Sequence, residues 1–536
     1  MKYLNDTIKL LLLLLVAGFT SCKDDSDGNL DPWLSLTNEL GNVFPAEIET
    51  DFLGGEFIMN IYTNTEWTMT STADWVRIEP AGRIGCVTGK IVVATSDVTS
   101  PREAVVTLKS NDPALRTYTI NVKQGATPSY VLIKDFHILP EATGDASGSD
   151  WDNAMGPEEL RDLLTNAFDT KGRSITLGEG TFKLHPDLVI KKHIDIIKGA
   201  GRDKTILTVS DTPGAVTQMF NLQGGANISF EGVTFDGGYT SVNTRGCLRA
   251  FNFNATGVDE LHLTDCRVRN FNITAADNYV NGRGAIIQYT GPGKTYFRNS
   301  IFENCASQSN GNITNTADPE NSFVFCDGCT FAGNRITGDW GVVFHSDSPV
   351  MLNNCTFVDN YSTKGGAYPI NIMCDMLMVN TTMYESKEAN NKAQLRIANL
   401  GKAGTAWIAN SVFLSTDNKP SVILDENSPA VSVGHNVWNS VTGINLLTTA
   451  GTESAVSGDC GASFDAAIGL VSWTLPAEIN AFAKTGDISA AIKRYNSNKH
   501  SGVGEQFSLW LGGNETRDAK GTSRPGDKMT PGALQL

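Results

Sequence analysis

Hydrophobic and polar positions alternate in short runs along most of this chain, and the runs stop at Asn, Asp or Gly. In the second half one phrase recurs: an apolar alternation, a small residue, an aromatic two positions later, then a polar turn. It reads ISFEGVTFDGG, LHLTDCRVRNFN, TYFRNSIFENC, FVFCDGCTFAGN, VMLNNCTFVDN, MLMVNTTMYES, AWIANSVFLST and VSVGHNVWNS. The apex residues Phe235, Val268, Phe302, Phe331, Phe357, Tyr384, Phe413 and Trp438 are 33, 34, 29, 26, 27, 29 and 25 residues apart. Period-two alternation of Val, Ile, Thr and Phe predicts strands rather than helices, and the polar residues after them predict turns. A fixed phrase at near-regular intervals predicts a solenoid whose coils bury their apolar faces against one another. Built from strands, it is a right-handed parallel β-helix, and the chain is all-β.

Two inward rows follow from this reading. The apex row fills the lumen. The row two positions earlier (Val233, Cys266, Ser300, Cys329, Cys355, Thr382, Ser411 and Asn436) is small and lets coils approach. A turn row, Asn270, Asn304, Asn334 and Asn360, suits left-handed backbone angles and hydrogen bonds to the next coil. A second strand precedes the apex strand in CLRAF, AIIQY, GVVFH, YPINI, QLRIA and SVILD, while the coil ending at Phe331 shows none. SITLGEGTF, LVIKKHIDIIKGAG and TILTV read as the first coils. Residues 157–168, PEELRDLLTNAF, form an amphipathic helix with Leu160, Leu163, Leu164 and Phe168 on one face, suited to cap the open apolar end.

Residues 38–126 differ in texture. Six short alternating segments separated by turn residues predict a small β-sandwich, joined to the leader by a linker over 22–37. Residues 8–19 are almost continuously apolar, with six consecutive Leu that follow Lys2 and Lys9. That run is too short to span a bilayer and reads as an export signal over residues 1–21.

Several phrases resemble known families. SGSDWDNA, ITLGEGTFKL, IDIIKGAGRDKTIL and the closing DAKGTSRPGDKMTPGAL resemble pectin-lyase-like β-helix proteins, over residues 131–536. That family includes lyases, hydrolases, adhesins and binding proteins, so the resemblance implies a fold and leaves the chemistry open. Trp67, Trp75-Val76 with Pro80 and Gly82, Ser100-Pro101-Arg102-Glu103-Ala104 and Val122-Lys123-Gln124-Gly125 resemble the BACON module of bacterial glycan-degrading proteins. This implies a spacer or sugar-binding accessory, with Trp67 and Trp75 either core residues or sugar platforms. Gly-Phe-Thr-Ser-Cys ending at Cys22 resembles a lipobox, and Lys23-Asp24-Asp25 resembles the export tag of surface lipoproteins. Together they imply a chain lipidated on Cys22 and held at the outer membrane surface.

Charge and cysteine narrow the chemistry. The chain carries 42 basic and 58 acidic residues, a net charge of −16. Such a surface does not suit nucleic acid, and it disfavours a strongly anionic polysaccharide unless a local basic patch or Ca²⁺ bridges the two. Ten cysteines include a CxxC, Cys326 and Cys329, expected to face opposite or offset directions, with no further zinc ligands nearby. No metal is expected there, and no cofactor is called for, although Ca²⁺ fits a lyase. The paired carboxylates of a glycosidase are not evident. His435, after Gly434, reads as positional, and His345-Ser346-Asp347 is the least implausible catalytic cluster, with His345 and Asp347 as candidates or as a polar turn. Loops after the apex row carry Tyr239, Arg245, Tyr279, Arg283, Arg335, Asp339, Trp340, Tyr361, Lys364 and Tyr368. Aromatic faces with guanidinium and amide donors are the parts of a saccharide groove. The expectation is a cell-surface lipoprotein binding polysaccharide along a lateral groove. A polysaccharide lyase or glycoside hydrolase of the same fold, and an adhesive or structural surface protein, stay open as alternatives.

Overall fold

The computed structural model describes residues 31–166, 170–209, 217–239, 248–254, 257–276, 281–315, 321–385, 391–398, 406–416, 421–424, 430–438, 454–455, 460–475, 482–495 and 502–536. The leader with Cys22, and the candidates Arg245 and Tyr279, lie outside them. Two compact units divide the chain, residues 1–132 and 133–536.

The first unit is a β-sandwich of a four-stranded and a five-stranded sheet. Its first strand, Leu34–Asn38, pairs antiparallel with Gly55–Thr63, so the sandwich begins inside the segment read as linker. Alternation sets the core: Met59, Ile61 and Thr63 of one strand point in, as do Ala104, Val106 and Leu108 of Arg102–Ser110. Trp67 is a core residue, with its indole N–H donating to the Gly85 carbonyl at 3.0 Å. Trp75 is partly buried, with the Arg102 guanidinium 4.3 Å above its ring.

The second unit is the right-handed parallel β-helix. Sheet I has eleven strands, from Asp135–Ile138 to Ala430–Gly434; sheet II has eleven, from Gly180–Leu184 to Ser454–Ala455; sheet III has nine, from Leu188–Ile190 to Val422–Leu424. Every neighbouring pair described in these sheets is parallel, as a coil that returns to its own rung requires. Sheet III includes Ile313–Asn315, the strand that the sequence pattern does not show in the coil ending at Phe331.

The lumen is filled as the aromatic pattern predicts. Phe235, Val268, Phe302, Phe331 and Phe357 are in register, and all are almost fully buried. Phe302 stacks on Phe331 at 4.9 Å, and Phe331 on Phe357 at 4.8 Å, near the spacing of adjacent strands. Each ring removed from water stabilises the fold by roughly 1.5–3 kcal/mol.

One coil departs from the expectation. Phe357 pairs with Met383, not Tyr384, and Met383 in turn pairs with Phe413. Period-two alternation then turns Tyr384 outward, half-buried against Val471 and Trp473. The small luminal residue of this coil is Thr381, whereas Thr382 accepts a hydrogen bond from the Ala533 N–H. The asparagine row also splits. Asn270 and Asn304 hold φ of 58° and 55°, while Asn334 and Asn360 occupy the next position, where the Asn334 N–H and amide both donate to Asn360 Oδ1. A second left-handed row links sheets I and II through Asp265, Asn299, Gly328, Asn354, Asn380, Asn410 and His435. His435, with φ of 63°, is a turn residue of this row.

Helix α1 (Pro157–Thr165) packs Leu160, Leu163 and Leu164 against the first-coil strands Gly180–Leu184 and Leu188–Ile190. The Glu159 carboxylate caps it by accepting the Gly156 N–H at 2.9 Å. Phe168 lies outside the described residues. Two further helices, α2 (Thr485–Arg494) and α3 (Val503–Leu511), cover the outward apolar residues of sheet I, including Phe323, Phe325, Met351 and Leu377. The closing motif is fastened by buried Arg524, which donates to Asn354 Oδ1 and to the carbonyls of Arg517, Thr530 and Gly532.

Candidate functional site

The site elements sit where sheet II hands the chain to sheet III. Between the two sheets a short third set of parallel strands, Ala306–Ser307, Arg335–Ile336 and Tyr361–Ser362, lines the edge. Ile336 and Ser362 are buried, so alternation leaves Arg335 and Tyr361 half-exposed on adjacent rungs. The Arg335 guanidinium lies 5.1 Å from the Tyr239 ring centroid, a cation held on an aromatic face. Sequence-distant Tyr239, Arg335 and Tyr361 are thus brought to one edge.

A second group lies on the strands that follow. Gly341–Ser346, Tyr368–Ile372 and Leu395–Ile397 are in register, with Phe344, Ile370 and Leu395 inward. His345, Asn371 and Arg396 therefore form one outward row. The Arg396 guanidinium is sandwiched near two rings, 5.1 Å from Trp340 and 5.5 Å from Tyr368. Trp340 meets His345 edge-on at 6.2 Å. His345 Nδ1 and the Asn371 amide nitrogen are 2.9 Å apart, which makes Nδ1 the acceptor.

Electrostatics decides what His345 can do. Its burial, then the charges of Arg283 and Arg396, push the imidazole down to about 3. It is neutral at ordinary pH and has 5% of its surface exposed; Asp347 has 8%. Both are poorly placed to exchange protons with a polymer in solvent. The contacts of His345 with Asn371 and Trp340 are those of a group holding the edge in shape.

Of the remaining nominees, Arg283 is half-buried and presents its charge to His345, while Lys364 and Asp339 are exposed on the loops. The sequence reading missed Arg396 and Asn371. Both were legible: in QLRIA and YPINI each is the polar residue between two inward aliphatics. Cys326 and Cys329, expected to diverge, both point into the lumen and interact there with Cys355, because Cys326 continues the inward row of Leu352 and Met378. Burial raises the Cys326 and Cys355 thiols, and no cluster of His, Cys, Asp or Glu among the described residues is arranged to hold a metal ion.

No protein-family profile matches the chain, and no curated protein matches it. Solved structures similar in fold include a pectin methylesterase from Erwinia chrysanthemi, 11% identical over 65% of this chain and 87% of that one, with a TM-score of 0.28. A pectin methylesterase in complex with a hexasaccharide is 10% identical over 63% and 98%, with a TM-score of 0.29. An alginate lyase of family PL6 is 12% identical over 68% and 63%, with a TM-score of 0.17. Likenesses this distant say nothing of this chain's activity.

Proposed function

We propose that this chain is a lipid-anchored surface protein that binds polysaccharide along the edge between sheets II and III. The anchor rests on the Cys22 phrase, and the BACON-like residues of the sandwich fit a glycan-handling context. The observation that carries the binding reading is the edge itself. Arg335 on Tyr239 and Arg396 between Trp340 and Tyr368 set guanidinium donors among aromatic faces on rungs two apart. Hydroxyls of a sugar pair with such donors, and its apolar face packs on such rings. Parallel rungs about 4.8 Å apart repeat on a scale close to one sugar unit.

The test is a glycan array on the full chain, with and without Ca²⁺, followed by titration of any hit against Trp340→Ala and Arg335→Ala. Binding that both substitutions weaken supports the edge as the site. Binding that neither alters, or silence across the array, removes this reading.

A further inference from the structure

A separate cavity lies at the opposite corner, where sheet I turns into sheet II. It holds about 180 Å³ and is lined by Asn299, Asp327, Asn354, Asn514, Arg517 and Lys520, among others. Its floor is built from three left-handed turns, at Asn299, Gly328 and Asn354, and the C-terminal segment. Gly328 holds φ of 65°, and a Cβ there would fall 2.5 Å from Asn299 Oδ1, so glycine keeps the floor clear.

The charges around it do not cancel. Two carboxylates line it, and both are buried and engaged. Asp327 accepts the Asn353 amide at 2.8 Å and the Asn514 amide at 2.7 Å, with Arg298 Nε 3.7 Å away. Asp518 accepts the N–H groups of Lys520, Thr522 and Gln535, and buried Arg524 supplies its compensating charge. Each buried acid thus has its own arginine, half-buried Arg298 for Asp327 and buried Arg524 for Asp518. Arg517 and Lys520 remain exposed at the mouth, with no carboxylate in ion-pair range among the described residues; the Arg517 guanidinium donates to the Gly521 carbonyl. The Asn299 side-chain amide is likewise without a partner among the described residues and stands beside them.

We infer that this cavity binds a single sugar unit carrying an oxyanion, a carboxylate or a sulfate ester. Two uncompensated cations at the mouth take the oxyanion. The open amide of Asn299 meets ring hydroxyls, and the space is greater than a bare oxyanion fills. The site shares no residue with the edge between sheets II and III, and it does not depend on the proposal made for that edge.

Calorimetric titration of the full chain tests it, using glucuronate, glucose 6-sulfate, glucose and inorganic sulfate as probes. Glucuronate or glucose 6-sulfate should bind, glucose should not, and inorganic sulfate should bind more weakly than the sugar sulfate. Arg517→Gln and Lys520→Gln, whose side chains are exposed, should each weaken binding about tenfold, the size expected for one charge-assisted hydrogen bond. Circular dichroism should show both variants folded. Glucose binding as tightly as glucuronate overturns the oxyanion; inorganic sulfate equalling the sugar sulfate overturns the sugar. Unchanged affinity in the variants, or no binding by any probe, overturns the site.

Discussion

Replacing Phe357 by Ala should damage the solenoid at a predictable depth. Phe357 is 1% exposed, stacks on Phe331 at 4.8 Å and meets Phe344 at 6.1 Å. Removing a buried Phe costs about 3–5 kcal/mol through lost transfer energy and the cavity left behind. The stacked neighbour adds about 0.5–1.5 kcal/mol beyond area alone, which favours the upper part of that range. A rung cannot collapse inward to refill the space, because the rungs on either side fix its backbone spacing. Urea unfolding followed by circular dichroism reads the loss as a lowered midpoint with an unchanged slope. Phe357→Leu is the control, expected to lose well under half as much. Trp340→Ala, at the half-buried edge, should cost about 1–2 kcal/mol, the scale of a cation–π contact with some packing. A loss below about 1 kcal/mol for Phe357→Ala, or equal losses from both alanine variants, would mean that inside and outside have been misassigned.

Three further outcomes follow from the same geometry. Met383→Ala should cost about 2–5 kcal/mol and Tyr384→Phe under about 1 kcal/mol, measured by the same unfolding; the reverse order would return Tyr384 to the lumen. Arg396→Gln should relieve part of the charge that depresses His345, so the His345 imidazole signal in NMR should titrate at higher pH than in the parent; an unmoved titration would place the cause in burial and Arg283 and refute a part for Arg396. Asp259 is buried with one carboxylate oxygen bonded to the Gly225 and Ala226 N–H groups and the other without a partner among the described residues, and burial raises it to about 6. A raised carboxyl contributes stability below its unfolded value and loses it as pH climbs through about 6, so Asp259→Asn should gain on the parent by about 1–3 kcal/mol between pH 5 and 7.5. A melting-temperature difference that stays flat over that range would refute the assignment.

Much of the fold was legible because a parallel solenoid writes its cross-section into the sequence once per coil. The apex phrase located the luminal rings, and SITLGEGTF and TILTV located the first coils. What failed was register in the coil of MLMVNTTMYES, where an aromatic one position late attracted the reading. There the pair Thr381 and Met383 does the work of Cys355 and Phe357, and Met fills the lumen without a ring. The C-terminal helices were missed for a different reason. Their apolar faces match the outward residues of sheet I, so the alternation in Phe323, Phe325 and Met351 has apolar residues on both faces and carries no sign of which one is covered.

The site was harder to read because its contacts join residues that no local pattern links. Trp340 and Arg396 meet only because the loops between them let two strands fall into register two rungs apart. Once that register is fixed, alternation removes the remaining freedom. If Ile370 and Leu395 point into the lumen, Asn371 and Arg396 must point out, beside His345. The rings in the lumen and the cations on the edge are therefore two consequences of one alternation. A one-residue slip of the Leu395–Ile397 strand would bury the Arg396 guanidinium among aliphatic side chains and leave Leu395 facing water, an arrangement that burial of an unpaired charge makes costly. The same energetic pressure that stacks the core also holds the edge in place, which is why substitutions in the lumen should disturb binding only when they disturb register.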